Sequence, residues 1–558
     1  MLYRGSERMI CPHCNKETHT KYFNEGIGEC EHCKVIIQYE YEYKPEINLP
    51  GLNRLNSEFI KEISEELKKA NDLFFRPDSK EIVEIGKIKI DEEKEITGFI
   101  SMKPARFITC LEKHVVPVLN IKNKKTDEWE TKSKSISNEL AGITLASEIL
   151  QTALPKINRI FTTQIPIIYK GELTFPCKGY DKRFNSWLPQ NAPEIVNPEM
   201  SLEEAKETLK KIYQGFCFES TQDYHNAIAA LLTPFLRGLY PRFNVRTPVW
   251  FYIANRERAG KDYCAGITGL VYEGNNLEES PICNGEKNGG TSEELRKKFM
   301  AALLSGRKRM HFSNNKGYID NAVFESIVTA EKYTDRILGR SENADFENEI
   351  EFSLSGNVGV TFTPDFANRC RFIRLFLDIE NANERHFDIP DLHGYILENR
   401  GVILSALYAL VRNWIEKGKP SGSKPFASFY NWANICGGIM EAADYLNPCE
   451  IDKEVRTVAG DYETQEMKLL FESCYKQYGD NSITKSAMLS IIREEELFDW
   501  FDLDNNKGHQ TQFGLLLKKF IGRVLSDIRL VVVNPTARPS RWEFKFVKGE
   551  EIKTLVEF

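Results

Sequence analysis

Two groups of residues in this chain have the types and spacing that chemistry needs. The first is Cys11-Pro-His-Cys14 with Cys30-Glu-His-Cys33, a C-x2-C-x15-C-x2-C pattern. Each pair closes on a tight turn, and two such knuckles bring four thiolates around one tetrahedral Zn2+. A disulfide reading needs an oxidising compartment, and a redox reading needs a thioredoxin-like context that the surrounding residues lack. His13 and His32 sit inside the knuckles and face solvent in this arrangement rather than the metal. The second group is residues 247–267, TPVWFYIANRERAGKDYCAGI. Residues 249–254 are a short apolar run rich in β-formers, 255–260 a loop, and the stretch from Asp262 onward is helical in character. A strand feeding a loop that ends Ala259-Gly260-Lys261 is how a phosphate-binding loop is built. Backbone N–H groups and a helix N-terminus point at phosphate, and the lysine reaches the outer phosphates. Ala259, Gly260, Lys261, Asp262 and Tyr263 are therefore the candidate nucleotide-binding residues. Two positions depart from the pattern: Asn255 stands where glycine is usual, and Asp262 where a serine or threonine ligates Mg2+. The plain alternative is an ordinary strand–turn–helix with an exposed Lys261.

Further strands must hold this loop in place. Residues 310–314 (MHFSN) read as a second buried strand with a polar end, about fifty residues after the loop. Residues 351–357 (EFSLSGN) read as a third, again ending in an amide, and 361–375 follow with Asp365, Arg369, Arg371 and Arg374. Strands of one parallel sheet end at the same edge, so their polar tips converge on a ligand.

That order resembles an AAA+ ATPase core. The run from about 225 to 435 is similar to the helicase-type ATPase domain encoded by phages, plasmids and integrated mobile elements, close to superfamily 3 helicases. The residues that carry the likeness are an apolar helix at 227–239, the loop at Lys261, the DRILG stretch (335–339), the SGN strand end (355–357) and the Asp365…Arg369 step that opens a strand. The resemblance implies ATP as substrate, with Lys261 on the β- and γ-phosphates. It implies Asn357 as the amide that orients attacking water, and Arg369 or Arg371 as an arginine finger acting on a neighbouring subunit. Ser313 and Asn314 fall where a metal-ordering acid is usual, and neither is acidic. Asp262 supplies the missing carboxylate if the two positions have exchanged roles, because Mg2+ takes oxygen ligands. The resemblance also implies a homo-hexameric ring.

Composition bounds these readings. The chain has 558 residues, enough for three or four domains, with 41% apolar and 28% charged residues. No run of about eighteen apolar residues predicts a transmembrane helix, and the first residues lack the apolar core of a secretion signal. Nine of the thirteen cysteines lie outside the N-terminal pattern and are expected as reduced, buried thiols, which fits a cytoplasmic protein. A net charge of −7 excludes one large basic surface, so nucleic-acid contact must come from local patches or from a ring that focuses them.

Four modules result: a zinc ribbon (1–45), a small α+β domain (50–200), the α/β ATPase core, a parallel sheet flanked by helices (201–445), and a winged-helix domain (455–558). In the second, 55–73 reads as an amphipathic helix and a lysine-rich loop at 122–134 is either solvated or a phosphate contact. Residues 174–188 resemble the GYD…W-L hairpin that precedes the ATPase in related mobile-element helicases. Ser201 with Glu204 forms a capping box that starts a helix over 201–218. In some relatives a primase occupies this region, but no convincing Asp-x-Asp or Asp-x-Glu pair on a strand between 50 and 200 supports one here. Six cations between 296 and 309 either face a DNA channel, pair with Glu293 and Glu294, or line a subunit interface. In the last module, helices over 463–478, 484–495 and 512–523 and strands over 530–533 and 542–547 give the winged-helix order. Residues 505–548 carry nine Lys/Arg against two Asp/Glu. Lys518, Lys519, Arg523, Arg538 and Arg541 are the candidate DNA contacts. The expected activity is ATP-driven DNA unwinding or remodelling in replication of a virus, plasmid or mobile element. The rival is a DNA-binding initiator or scaffold whose ATPase core hydrolyses weakly or not at all.

Overall fold

The computed structural model describes residues 44–51, 53–90, 94–122, 127–282, 290–316, 318–319, 321–336, 343–357, 360–378, 387–450, 462–495, 497–498, 507–525, 527–534 and 543–548. Before residue 44 it describes the backbone of five strands of three residues each. Arg8–Ile10 pairs antiparallel with Glu17–His19, and Lys21–Phe23, Ile27–Glu29 and Ile36–Gln38 form an antiparallel sheet. Cys11, Cys14, Cys30 and Cys33 lie outside the described residues. The chain divides into two units, residues 1–86 with 99–158, and residues 87–98 with 159–558.

In the first unit, α1 (Asn56–Ala70) turns Phe59, Ile60, Ile63 and Leu67 inward at a spacing of three to four residues. They share a core with Phe107, Cys110 and Leu111 of α2 (Pro104–His114). α1 stops at Asn71, which takes the left-handed conformation (φ 57°). Strand Val116–Lys122 pairs with Glu46–Asn48 and Trp129–Ser133 beside these helices. Lys122 and Lys132 pair with Asp127 and Glu130.

Segment 159–200, expected with this α+β region, belongs to the second unit. Its Phe161, Ile165, Ile167, Phe184 and Leu188 are part of that unit's core, because short apolar runs separated by turns do not announce which core they join. The GYD…W-L hairpin is present as Gly179–Asp181 paired antiparallel with Ser186–Leu188. Ser201 caps α3 (Leu202–Tyr213) by accepting from the Glu204 amide at 3.2 Å, and Ser220 caps α4 (Thr221–Phe235).

All six side chains of β1 (Val249–Ala254) are buried, and a strand apolar on both faces needs a neighbour on each side and helices on both faces. α5 (Lys261–Glu273) and α6 (Gly290–Ser305) precede β2 (Arg309–Asn315), α7 (Ala322–Thr329) precedes β3 (Glu351–Asn357), and β4 (Cys370–Leu375) completes a four-stranded parallel sheet. Its order is β2–β3–β1–β4. Glu279 adds one parallel bridge outside β2, to Phe312. The first strand thus lies between the third and fourth, and this change of winding direction is where open α/β sheets bind ligands. α8 (Leu392–Glu398), α9 (Arg400–Glu416) and α10 (Tyr430–Ala442) follow, and Trp432 packs edge-on against Trp250.

The amino edge of this sheet is closed by buried ion pairs. Glu351, at the start of β3, accepts from both Arg237 and Thr247. Arg246 donates to the carbonyls of Val328 and Asn348 at 2.9 and 2.7 Å, and burial, with Arg237 nearby, brings its pKa down to about 9. Burial opposes the charge on Glu349, yet Arg159 and Lys308 hold its pKa at about 2.

Residues 462–548 have a core of their own, including Met467, Phe471, Ile492, Phe513 and Phe546. Their order is α11 (Tyr462–Tyr478), α12 (Lys485–Glu494), α13 (Lys507–Phe520), β5 (Ile528–Val532) and β6 (Glu543–Lys548), with β5 and β6 antiparallel. α13 starts five residues before the expected 512, because its first turn, Lys-Gly-His-Gln, has no apolar periodicity to reveal it. Among the described residues no helix is long and apolar enough to cross a membrane. Of the eight described cysteines six are buried, Cys217 is half-buried, and Cys177 is exposed, contrary to expectation.

Replacing Glu351 with alanine leaves Arg237 buried without its carboxylate, a change that costs about 3–5 kcal/mol. Urea unfolding followed by tryptophan fluorescence, to which buried Trp250 and Trp432 report, should show that loss as a lower midpoint.

Candidate nucleotide site

The register of the sheet puts Ala254 opposite both Asn357 and Leu375. The loop that begins at Asn255 therefore leaves the sheet level with the end of β3. Asn255 donates its backbone N–H to the Leu375 carbonyl (3.1 Å). Its side-chain amide donates to Leu377 O (3.1 Å) and accepts from Leu377 N (2.9 Å). The residue that departs from the glycine of the usual pattern thus ties the loop to the chain beyond β4. Arg256, Glu257 and Arg258 are exposed, and Arg258 (φ 62°) and Gly260 (φ 95°) are both left-handed. Gly260 suits that conformation and serves as the N-cap of α5, with no side chain capping the helix. No side-chain oxygen therefore takes up the first amides of α5, which lie at the sheet's carboxyl edge.

Lys261 is mostly buried, with Nζ 3.2 Å from Asp262 Oδ2. The other oxygen of Asp262 accepts from the hydroxyl of Ser355, which is fully buried on β3. Side chains alternate along a strand, so Ser353, Ser355 and Asn357 share one face. The Oδ1 atom of Asn357 is buried and has no hydrogen-bond partner. Deeper along the same face, His311 Nδ1 lies 2.8 Å from Ser353 Oγ, and its Nε2 is also buried without a partner. Burial first, then Arg309 and Lys261, hold the His311 imidazole well below its ordinary pKa.

At the end of β2 the ladder shifts between Phe312 and Asn315. Asn314 takes φ 55° and is exposed, whereas Asn315 is buried. Asn315 receives the Ile282 amide at 2.9 Å and donates to the carbonyls of Phe312 and Ser355 at 2.8 and 3.0 Å. Ser313 is buried and hydrogen-bonded through its backbone to Glu279. The structural weight of this strand end thus falls on Asn315, which the alternation of the sequence does not single out because the irregularity changes the facing.

Beside the loop is a cavity of about 280 Å3, lined by Arg258, Gly260 and Tyr263 and by Phe216, Phe387 and Leu392. Tyr263 stacks on His393 of α8 with ring centres 4.1 Å apart. No local pattern marks these walls, since they come from segments about 45 and 125 residues from the loop. Gly356 is placed for close packing: a Cβ there would meet Val360 at 2.8 Å and Asn315 O at 3.0 Å.

The structure brings Ala259, Gly260, Lys261, Asp262, Tyr263, Asn314 and Asn357 to one edge. It puts Arg369 and Arg371 at the other, because both lie at the start of β4. Arg369 pairs with Asp365 (2.7 Å) and donates to Glu325 O (2.9 Å) while keeping partial exposure. Arg371 is buried, its guanidinium 3.6 Å over the Phe426 ring. Glu331, another conceivable acid, pairs with Arg242, and its carbonyl accepts from Asn348 N ahead of β3, away from the loop. The cations from 296 to 309 are engaged: Arg296 with Tyr333, Lys297 with Glu293, Lys298 and Arg307 with Glu279, Lys308 with Glu349, and Arg309 with Ala265 O. Lys518 and Lys519 are exposed on α13, and Arg523 lies over Phe520. Arg538 and Arg541 lie outside the described residues.

The site belongs to a mixed α/β protein in which a parallel sheet flanked by helices presents a strand–loop–helix at its carboxyl edge. No protein-family model matches the chain, and no curated protein matches it. Among solved structures it is similar to the apo C-terminal region (305–718) of NrS-1, at 13% identity, covering 80% of this chain and 100% of that one with a TM-score of 0.31. It is also similar to JCV helicase bound to a thiazolopyridine compound, at 13% identity, covering 47% and 74% with a TM-score of 0.21. At such scores the functional reading rests on the site itself.

His311 titrates near pH 6.5 only when the chain unfolds, so below that pH the unfolded state binds the extra proton. The contribution is full above about pH 6.5 and falls by about 1.4 kcal/mol per pH unit below it. Urea unfolding at pH 7.5 and 5.5 should show a drop in wild type that exceeds the drop in His311→Asn by that one-proton component.

Proposed function

We propose that this chain is an ATP-dependent DNA helicase or DNA-remodelling ATPase that acts in replication of a virus, plasmid or mobile element. One observation carries the reading: Lys261, the uncapped N-terminus of α5 and the unpartnered amide oxygen of Asn357 meet at the carboxyl edge where the sheet changes winding direction. The α5 amides and Lys261 hold the phosphates, and the aromatic cavity beside Tyr263 takes the base. Asn357 orients the water that attacks the γ-phosphorus as ADP departs. Asp262, between Lys261 and the Ser355 hydroxyl, offers the oxygen ligand that a hard cation takes. Mg2+, when bound, neutralises phosphate charge.

Around this core, the four N-terminal cysteines hold zinc, and the chain assembles as a homo-hexameric ring with DNA as partner. Arg369 reaches the neighbouring copy's phosphate. Arg371, packed under Phe426, is less suited to that task. The C-terminal module acts as a winged helix, with Lys518, Lys519, Arg523, Arg538 and Arg541 against the DNA backbone.

A second reading is favoured by the end of β2, which carries Ser313, Asn314 and Asn315 and no carboxylate. It makes the chain a DNA-binding initiator or scaffold that binds nucleotide for assembly and hydrolyses little of it.

Steady-state ATP hydrolysis with Mg2+, with and without single-stranded DNA, separates the two. The motor reading predicts DNA-stimulated turnover that falls about a hundred-fold or more in Lys261→Ala, the size of effect seen when one transition-state charge donor is lost. Absence of turnover in folded wild-type protein leaves the scaffold.

A further inference from the structure

A second constellation lies in the first unit, with no part in the nucleotide site. Cys110 and His114 are one turn apart on α2, so both side chains leave the helix on one face. Asp72 follows Asn71, the left-handed residue that ends α1. The three residues bring a thiol sulfur, an imidazole nitrogen and a carboxylate oxygen to within 4.8 Å of one another. His114 Nε2 and Asp72 Oδ2 are 2.7 Å apart. The second carboxylate oxygen, Asp72 Oδ1, is buried and has no hydrogen-bond partner. Cys110 is 3% exposed, and burial, followed by the nearby Asp72 carboxylate, raises its thiol pKa to about 11.

Core packing accounts for the burial of Cys110, but the histidine–aspartate pair does not account for the unsatisfied carboxylate oxygen. One sulfur, one nitrogen and one oxygen form a ligand set of intermediate softness, suited to a divalent transition metal and poorly suited to Mg2+ or Ca2+. Tetrahedral bonds of about 2.0–2.3 Å set neighbouring ligand atoms about 3.3–3.8 Å apart, so side-chain shifts of about 1 Å close this cluster on an ion.

We propose that Asp72, Cys110 and His114 form a mononuclear divalent transition-metal site, with zinc as the matching ion and a fourth position open to water. The ion would join the end of α1 to the last turn of α2. The site is separate from the cysteines at 11, 14, 30 and 33 and shares no ligand with them.

The test uses the full-length chain with those four cysteines changed to serine, titrated with Co2+ at pH 7.5. The proposal expects one cobalt per chain, visible ligand-field bands and a near-ultraviolet thiolate-to-cobalt band. In the same background Cys110→Ala should remove the thiolate band. His114→Ala and the near-isosteric Asp72→Asn should each weaken cobalt binding by about ten-fold or more, with far-ultraviolet circular dichroism unchanged. A folded protein that takes up no cobalt would overturn the proposal. So would bound cobalt without a thiolate band, or binding indifferent to these substitutions.

Discussion

Parallel pairing in register on both sides of β1 is the constraint on which the site depends. Because Ala254 stands level with Asn357 and Leu375, the loop leaves the sheet where β3 and β4 also end. Asn255 then bonds across to Leu375 and Leu377, and Ser355 reaches Asp262 on the first turn of α5. A slip of one residue in the β1–β3 pairing would turn Ser355 and Asn357 to the opposite face. The fully buried β1, with its aromatic and β-branched side chains, makes such a slip costly.

The two edges of the sheet do different work. At its amino edge Arg237, Arg246 and Arg159 find carboxylates or carbonyls and Glu349 and Glu351 find cations, although Arg237 Nε and Arg371 Nε are left without partners. Its carboxyl edge holds Asn357 Oδ1 without a partner beside a helix start that no side chain caps, and His311 Nε2 is unpartnered deeper along the same face. Buried polar groups are normally paired, so Asn357 Oδ1, unpartnered at the switch point, is a group that a bound ligand or water would satisfy. The same principle applied to Asp72 Oδ1 identifies the second constellation in the first unit.

Much of this edge is legible in the sequence, for local reasons. Six apolar residues followed by Ala-Gly-Lys specify β1, the loop and α5 without reference to distant segments, and Ser201 and Glu204 specify the start of α3. Other features depend on contacts between distant segments. Asn255 looks like a defect in a glycine position until Leu377 is placed beside it. Asn315 is hidden because an irregularity in β2 shifts the facing by one residue. The cavity walls at Phe216 and Phe387 carry no local signal. The cations from 296 to 309 leave a DNA channel, local pairing and a subunit interface all open in one dimension; Lys297 pairs with Glu293 as the second of these expects, and the partners Glu279 and Glu349 come from distant segments. Segment 159–200 joins the larger core because burial of Phe161 and Phe184, not chain proximity, decides its partner.

The central claim is that this edge holds a nucleoside triphosphate through Lys261 and the N-terminus of α5. Equilibrium titration of the protein with a fluorescent ATP analogue and Mg2+ tests it most directly, since it asks for binding and not for turnover. The account predicts saturable binding, displaced by unlabelled ATP and weakened at least about ten-fold by Lys261→Ala, as loss of a charge-assisted hydrogen bond requires. Folded protein that shows no saturable binding, or a Lys261→Ala variant that binds as tightly as wild type, would contradict it.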